Sequence, residues 1–388
     1  MSQKKGHALI GVTFTAMLRR WVASLLLVAV SAAGAFSAMV LQDLTLRQEN
    51  ALRNTIANTT ISCTVTDARG TDSGNLTMLS AFVEMLEGKR RDRGCYLDDY
   101  VKNVRAKADT KLDWPSGSTL RRILSVDSDP ALSPVEGASV QFFDGWEEDV
   151  LRSWEQVCLV SPDMVTEDGY VTVSIGQEAS AQLRIVGTVT NGPSNVIYCP
   201  YFMPWAEGTF VAFYTDSCSF DIRYNENLEE SKAYIYEWFV QPDFSNQIDG
   251  LTFGVLVHDE TYQKSISEIQ ANLSMLRLLL PVLMVICGCI GFFASFLATR
   301  GRTKEFGVMR CLGMRQSKIF WLVMAELTVL ALAGSVAGIA GGILLEGTLR
   351  TSALLSALLM TGIFLLGSVV ATLRITSINV MKLMKVED

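Results

Sequence analysis

The stretch LLLPVLMVICGCIGFFASFLA, residues 278–298, runs for 21 residues without a charged side chain. About 20 helical residues, each rising about 1.5 Å, cross a bilayer core about 30 Å thick. Buried helices of soluble proteins rarely run so long without a charge, so this stretch predicts a membrane span. On either side of it, 22–41 and 352–373 are equally free of charge, and 319–345 is as long but holds one acid, Glu326. The expected fold class is an α-helical membrane protein with four transmembrane helices plus a mixed α/β extracytoplasmic domain between the first and second. Composition agrees, with 49% hydrophobic residues and a mean hydropathy of +0.27.

Charge is divided unevenly. Residues 43–270 carry 35 acidic and 18 basic side chains, a net of −17, and the remainder carries 5 and 15, a net of +10. The basic residues gather at the ends of the apolar runs. Lys4, Lys5, Arg19 and Arg20 precede the first run, and Arg374, Lys382 and Lys385 follow the fourth. Between the second and third lie Arg300, Arg302, Lys304, Arg310, Arg315 and Lys318. Lysine and arginine near span ends mark the cytoplasmic side. Both termini and that loop are therefore expected inside, and the acidic block and the turn at 346–351 outside. A cleaved signal peptide competes for the first run, but the run is long for one and an uncleaved anchor is expected. Ahead of it, Leu9, Ile10, Val12, Phe14 and Met17 can line one face of an interfacial helix. The acidic polar block gives nucleic acid no footing, and 7 Trp, 18 Phe and 10 Tyr argue against disorder.

Within the polar block, TISCTV (60–65) reads as a strand ending in a turn at 66–70, and 78–86 and 98–107 read as helices. The Pro- and Ser-rich text at 114–134 reads as a boundary or long loop. Strand-like pieces follow at 157–160, 170–175, 182–190 and 195–198, the last two flanking Asn191-Gly192-Pro193-Ser194 as a hairpin. A helix at 228–239, a strand at 255–257 and a helix at 261–276 complete the block. The last runs into the second span with no Gly or Pro between Thr261 and Leu280. Five cysteines fall here, Cys63, Cys95, Cys158, Cys199 and Cys218. An oxidising compartment permits disulfides, five leaves at least one over, and spacing does not choose the pairs. Cys287, Cys289 and Cys311 read as apolar filler or reduced thiols.

Catalytic patterns are scarce. His7 and His258 are the chain's 2 histidines, and no Gly-x-Ser-x-Gly elbow accompanies them. His-Glu-x-x-His and Cys-x-x-Cys are absent, so no metal is expected. Asp127 and Asp129 fail as a calcium loop because Leu132 stands where a sharp turn demands glycine. Asp144, Glu147, Glu148 and Asp149, interleaved with Trp146 and Trp154, could meet a cation or cationic peptide; they read first as a solvated helix face over two buried rings. The sequons at Asn58, Asn75 and Asn272 carry little weight. Without a phosphate-binding Gly-x-x-x-x-Gly-Lys-Ser/Thr loop, this chain is not expected to hydrolyse ATP by that route.

The loop RGRTKEFGVMRCLGMRQSKIFWLVMAE, 300–326, holds more than a positive-inside loop requires. Phe306, Val308, Met309 and Leu312 give a short helix an apolar face, Glu305, Arg310 and Arg315 charge it, and Gly307 and Gly313 allow close approach or a turn. Glu326 lies about 10 Å into its helix. A membrane acid is functional by default, with Arg300 or Arg315 as candidate partners. Gly334, Gly338 and Gly342 have the small-xxx-small spacing of tight helix packing. Pro281 can bend the second span as a hinge, since its ring removes a backbone bond.

The run Lys304-Glu305-Phe306-Gly307-Val308-Met309-Arg310, followed by Leu312-Gly313-Met314, resembles the coupling segment of FtsX-like permeases of ABC transporters. Glu326 with Gly334, Gly338, Gly341 and Gly342 downstream is similar to the same family. So is the tail Ile378-Asn379-Val380-Met381-Lys382-Leu383, with Val380 where proline is usual. One span, a large outer domain and three further spans resemble the MacB-like subgroup. Cys158-Leu159-Val160-Ser161, Ile185-Val186-Gly187-Thr188 and Tyr198-Cys199-Pro200 are weakly similar to its outer-domain strands. The resemblance implies a cytoplasmic segment 1–21, a first span 22–41, an extracytoplasmic domain 42–270 of MacB periplasmic-core type, and a permease domain 271–388 with its coupling loop at 300–318.

It further implies a non-catalytic subunit of the bacterial cytoplasmic membrane, a homodimer or paired with a related permease. A separate ABC-type ATP-binding subunit would hold the ATP and magnesium and meet Glu305, Phe306, Gly307, Met309, Arg310, Leu312 and Gly313. ATP-driven closure would then become movement outside the membrane, for export or release of a peptide, lipid-linked or drug-like substrate. The alternatives are an ATPase-driven regulator of an extracellular cell-wall hydrolase that moves no cargo, and an anchored sensor without an ATPase.

Overall fold

The first apolar run lies in a helix that outlasts it. In the computed structural model, which describes residues 21–91, 96–132, 138–175, 179–205, 213–240, 253–347 and 350–376, α1 spans Trp21–Asn58. Beyond Asp43 its sequence is mostly Leu, Gln, Arg, Glu, Ala and Asn, and most of these favour helix. Asp43 pairs with Arg47 one turn on. The apolar text therefore marks where lipid contact stops, and the helix itself continues. The chain divides into two units, 54–265 and 1–53 with 266–388, so the polar unit starts later and ends earlier than the hydropathy boundaries at 42 and 270. The expected interfacial helix before α1 and the tail 378–383 lie outside the described residues, as does Cys95.

The polar unit is a β-domain. It opens with β1 (Ser62–Asp67), β2 (Met78–Leu79), α2 (Ser80–Leu86), α3 (Leu97–Tyr100), β3 (Val101–Lys111) and β4 (Thr119–Ile123). It continues with β5 (Ser139–Phe142), β6 (Val157–Val160), β7 (Tyr170–Ile175), β8 (Ala179–Thr190) and β9 (Val196–Pro200). β10 (Tyr214–Thr215), β11 (Ser217–Ile222), α4 (Leu228–Val240) and β12 (Phe253–Val257) complete it. A 10-stranded sheet runs β12-β1-β11-β3-β4-β9-β6-β8-β5, with β7 also on β8, and β10 pairs with β2. The pairings β4–β9 and β6–β8 are parallel. Strands buried on both faces lose the polar alternation of half-buried ones, and β6 and β9 are buried at every position. One face of this part of the sheet gathers Leu120, Cys158, Val160, Leu183, Ile197 and Cys199, and the other Ile123, Leu159, Val186, Val189 and Tyr198. Near α2 and α4, Phe239 stacks on Phe82 at 5.9 Å and on Phe220 at 6.1 Å.

Three expectations are corrected here. Residues 98–107 form a helix only as far as Tyr100; the rest is β3, where Val104, Ala106 and Ala108 are buried and Arg105, Lys107 and Asp109 are not. That alternation has a period of two, the strand period. The supposed loop 114–134 contains β4, a central strand whose two arginines disguise it. The supposed hairpin does not pair: β6 lies between β8 and β9, parallel to the first and antiparallel to the second.

The helical unit adds α5 (Glu260–Arg300), α6 (Thr303–Cys311), α7 (Gln316–Glu346) and α8 (Thr351–Thr376) to α1. Helices α1, α5, α7 and α8 are long and apolar enough to cross a membrane. α5 contains Pro281 and is one helix of 41 residues. Small residues bring the helices together. A Cβ on Gly334 would stand 2.5 Å from the Val28 carbonyl oxygen of α1, and one on Gly342 2.5 Å from the Met39 sulfur. Gly338 faces the Ala32 carbonyl in the same way, and Gly291 lies against Phe364 of α8. Polar side chains are satisfied inside: Ser31 Oγ donates to the Ala331 carbonyl at 2.8 Å, and Ser295 Oγ to Ser368 Oγ at 2.7 Å. Leu278, Val285, Phe293, Leu297 and Leu344 stay exposed, as side chains facing lipid would.

Candidate coupling site

The link between α5 and α7 is built on one arginine. The chain leaves α5 at Arg300, turns, and starts α6 with Arg302 as the residue before its first turn. From there the Arg302 guanidinium points inward and is 8% exposed. Its Nη1 donates to Glu326 Oε2 of α7, its Nε donates to Glu305 Oε2 at 3.1 Å, and its centre lies 5.6 Å from the Phe306 ring. A guanidinium offers five donors in a planar fork, and one arginine can hold two carboxylates. Glu326 is thus held to the loop. Its expected partners Arg300 and Arg315 are corrected: both are exposed. Nothing in composition separates Arg302 from its neighbours; only its place just before a helix that folds back aims it inward.

The short helix α6 has two faces. Phe306 is 5% exposed and packs into the core of the helical unit with Ile319, Val323 and Ile375, and Met309 lies against the same cluster. Arg310 Nη2 donates to the Thr376 carbonyl at the end of α8, 2.9 Å away. Opposite these, Val308 is 61% and Leu312 80% exposed, and the Glu305 side chain is 44% exposed. Phe306, expected to meet a partner, has its ring in the bundle in this chain, because one turn of helix directs it inward. Gly313 takes φ +89°, the left-handed region that glycine enters without strain, and ends α6. At Gly307 a Cβ would meet nothing within 4 Å, so that glycine serves no close approach among the described residues. A cleft beside the charge cluster, lined by Leu27, Thr299, Val323 and Glu326 among others, measures about 30 Å³. It has room for water and none for a peptide or lipid.

The remaining candidates do not assemble a site. Asp129 is buried against Arg121, and His258 Nε2 lies 3.1 Å from Thr64 Oγ1 at the surface. The acidic stretch at 144–149 leads into a 3-10 turn, Glu148–Arg152, and its rings are not both buried. Trp154 is 51% exposed, tilted on Phe202 at 5.4 Å, while Trp146 receives Arg184 at 5.5 Å. Among the described residues, no three His, Cys, Asp or Glu side chains gather as metal ligands.

Long apolar helices, glycine contacts and a charge-locked loop define a multi-pass helical membrane protein with a mixed-sheet domain. Residues 277–380 match the family model of the FtsX-like permease C-terminal domain. That segment, about a quarter of the chain, takes in the whole uncharged run 278–298 of α5 and all of α6, α7 and α8. The match supports an FtsX-like ABC permease, a class of generally non-catalytic membrane subunits that work with an ABC ATPase. No curated protein matches the chain.

Proposed function

We propose that this chain is the permease subunit of an ABC transporter that turns ATP hydrolysis in a separate subunit into movement of its β-domain, held outside a bacterial cytoplasmic membrane. The observation that carries the reading is the division of α6 into an exposed apolar edge, Val308 and Leu312, and an inner face locked to α7 and α8 through Arg302–Glu326 and Arg310–Thr376. A partner that displaces the edge has to move the spans with it, because separating a buried ion pair strands a charge at about 3–5 kcal/mol. Glu305, Val308 and Leu312 are the groups for the ATPase to grip; Phe306, Met309 and Arg310 pass the load inward. ATP and magnesium belong to that ATPase, and the permease works as a homodimer or with a related permease.

Export or release of a peptide, lipid-linked or drug-like molecule fits a β-domain of this size. The small-residue packing between spans also favours a second reading, a regulator of a cell-wall hydrolase that passes nothing through the bilayer. Substrate-stimulated ATPase activity supports the first, and stoichiometric co-purification with a hydrolase the second. The shared element is tested by the double variant Val308→Ala, Leu312→Ala. It should reach the membrane at normal levels yet bind the co-expressed ATPase at least tenfold more weakly. Full ATPase binding and activity in that variant would remove α6 from the coupling path.

A further inference from the structure

Two cysteines of the β-domain lie on one face of neighbouring strands. β6 and β9 meet antiparallel at the pair Leu159–Tyr198, and Cys158 and Cys199 are the residues that flank this pair on the same side. Leu159 and Tyr198 face one core, while Cys158 and Cys199 face the other together with Val160 and Ile197. The flanked pair itself has the Cα spacing of about 4.5–5.5 Å usual for opposed residues, and a disulfide spans about 4.4–6.8 Å, so the two cysteines beside it are within reach of a small backbone adjustment. In the structure both are buried free thiols, 1% and 0% exposed. The other described cysteines of the domain are placed differently: Cys63 stands opposite Phe220 and Cys218 opposite Ala106.

The pair is chemically unequal. On β4, the residue beside Cys199 is Arg122, which is 0% exposed. Its Nη1 donates to the Met203 carbonyl at 2.6 Å, and its Nε and Nη2 have no hydrogen-bond partner among the described residues. In the closed sheet burial pushes both thiols up; Arg122 draws Cys199 back to about 11, whereas burial and the neighbouring Cys199 drive Cys158 higher. The thiolate is the attacking species in disulfide exchange, and both thiols of the closed sheet are held far from it.

We propose that Cys158 and Cys199 form a disulfide in the native β-domain, made by exchange with an oxidised dithiol protein on the extracytoplasmic side; this rests on the outward placement of the domain proposed above. The thiolate of one cysteine attacks one sulfur of the donor's disulfide, that S–S bond breaks, and a mixed disulfide forms as a donor thiolate leaves. The other cysteine gives its proton to solvent and attacks the sulfur of the first, closing the new bond and expelling the second donor thiolate. The two cysteines lose two electrons and two protons, and the donor becomes a dithiol. Since both sulfurs are sealed in the finished domain, exchange takes place before the sheet closes. The bond then staples β6 to β9 across a segment that includes β7 and β8.

The test uses the full chain, alkylated as the cells are broken, purified in detergent and digested without reductant. A peptide joining Cys158 to Cys199 should appear and be lost on reduction, with two further alkylation sites gained. In parallel, a Gly74→Cys variant in intact cells is treated with a membrane-impermeant maleimide. If both thiols are alkylated without reduction while Gly74→Cys is labelled, the disulfide is overturned and the outward placement stands. If both are alkylated and Gly74→Cys is not labelled, the placement falls and the disulfide with it. Linkage of either cysteine to Cys63, Cys95 or Cys218 also overturns the pairing.

Discussion

At the scale of single residues, Arg302 decides how the loop is held. It serves two acids of unequal exposure: the Glu326 side chain is 11% exposed and that of Glu305 44%. Removing one member of a buried pair leaves a charge stranded at about 3–5 kcal/mol, whereas an exposed pair is worth about 0–1 kcal/mol. Glu326→Gln should therefore destabilise the protein by about 3 kcal/mol, the low end of that range because Arg302 keeps Glu305. Glu305→Gln should cost less than about 1 kcal/mol. Thermal unfolding of the detergent-solubilised variants measures both, and equal shifts would refute the hierarchy. The sequence made Glu326 conspicuous, because one acid in an apolar run is costly and therefore rarely accidental. Its partner was not legible. Six basic residues share the loop, and burial of one among them is set by where α6 begins.

At the scale of elements, apolarity is a one-dimensional signal and the spans were readable from it. Pairing is not one-dimensional. β8 and β9 are joined by a short turn-rich link, which favours a hairpin, yet β6 from earlier in the chain inserts between them because its four side chains need cover on both faces. β3 resembles a charged helix in composition because arginine and lysine are scattered along it, although their alternate spacing is that of a strand. In the proposed function, α5 is the element that would carry mechanical coupling. A helix without an internal break from Glu260 through Pro281 to Arg300 is stiff enough to carry a displacement. Two glycines inserted after Ser267 each lower helix propensity by about 1 kcal/mol relative to alanine and rotate the register. A complex built with this variant should keep the partner subunit's ATPase activity and lose export or hydrolase activation. If transport or activation is unimpaired, α5 does not transmit the work, and Pro281 is no hinge of consequence.

At the scale of the whole molecule, the opposed charges of the two parts lead to a topology that can be measured. In a Cys311→Ser background, Gly74→Cys and Thr351→Cys should react with an impermeant maleimide added to intact cells, and Ser317→Cys only after permeabilisation. Reaction of Ser317→Cys from outside would reverse the orientation and with it the proposed placement of the ATPase.

Ion pairs stand at both ends of the helical unit. Arg302 with Glu326 closes one end; Arg277 with Glu49, at 2.8 Å, and Arg350 with Asp43, at 3.3 Å, close the other. On α5 the interval from Arg277 to Arg300 corresponds to about 34 Å at a rise of about 1.5 Å per residue, close to the hydrocarbon thickness of an ordinary bilayer. Charged side chains at both rims are costly to draw into hydrocarbon, which leaves the bundle little freedom to slide along the membrane normal. A thinner lipid environment would be met by tilting or by local thickening of the bilayer, each costing fractions of a kcal/mol per Å of mismatch. Spans of this length therefore suit a bilayer of about that hydrocarbon thickness best.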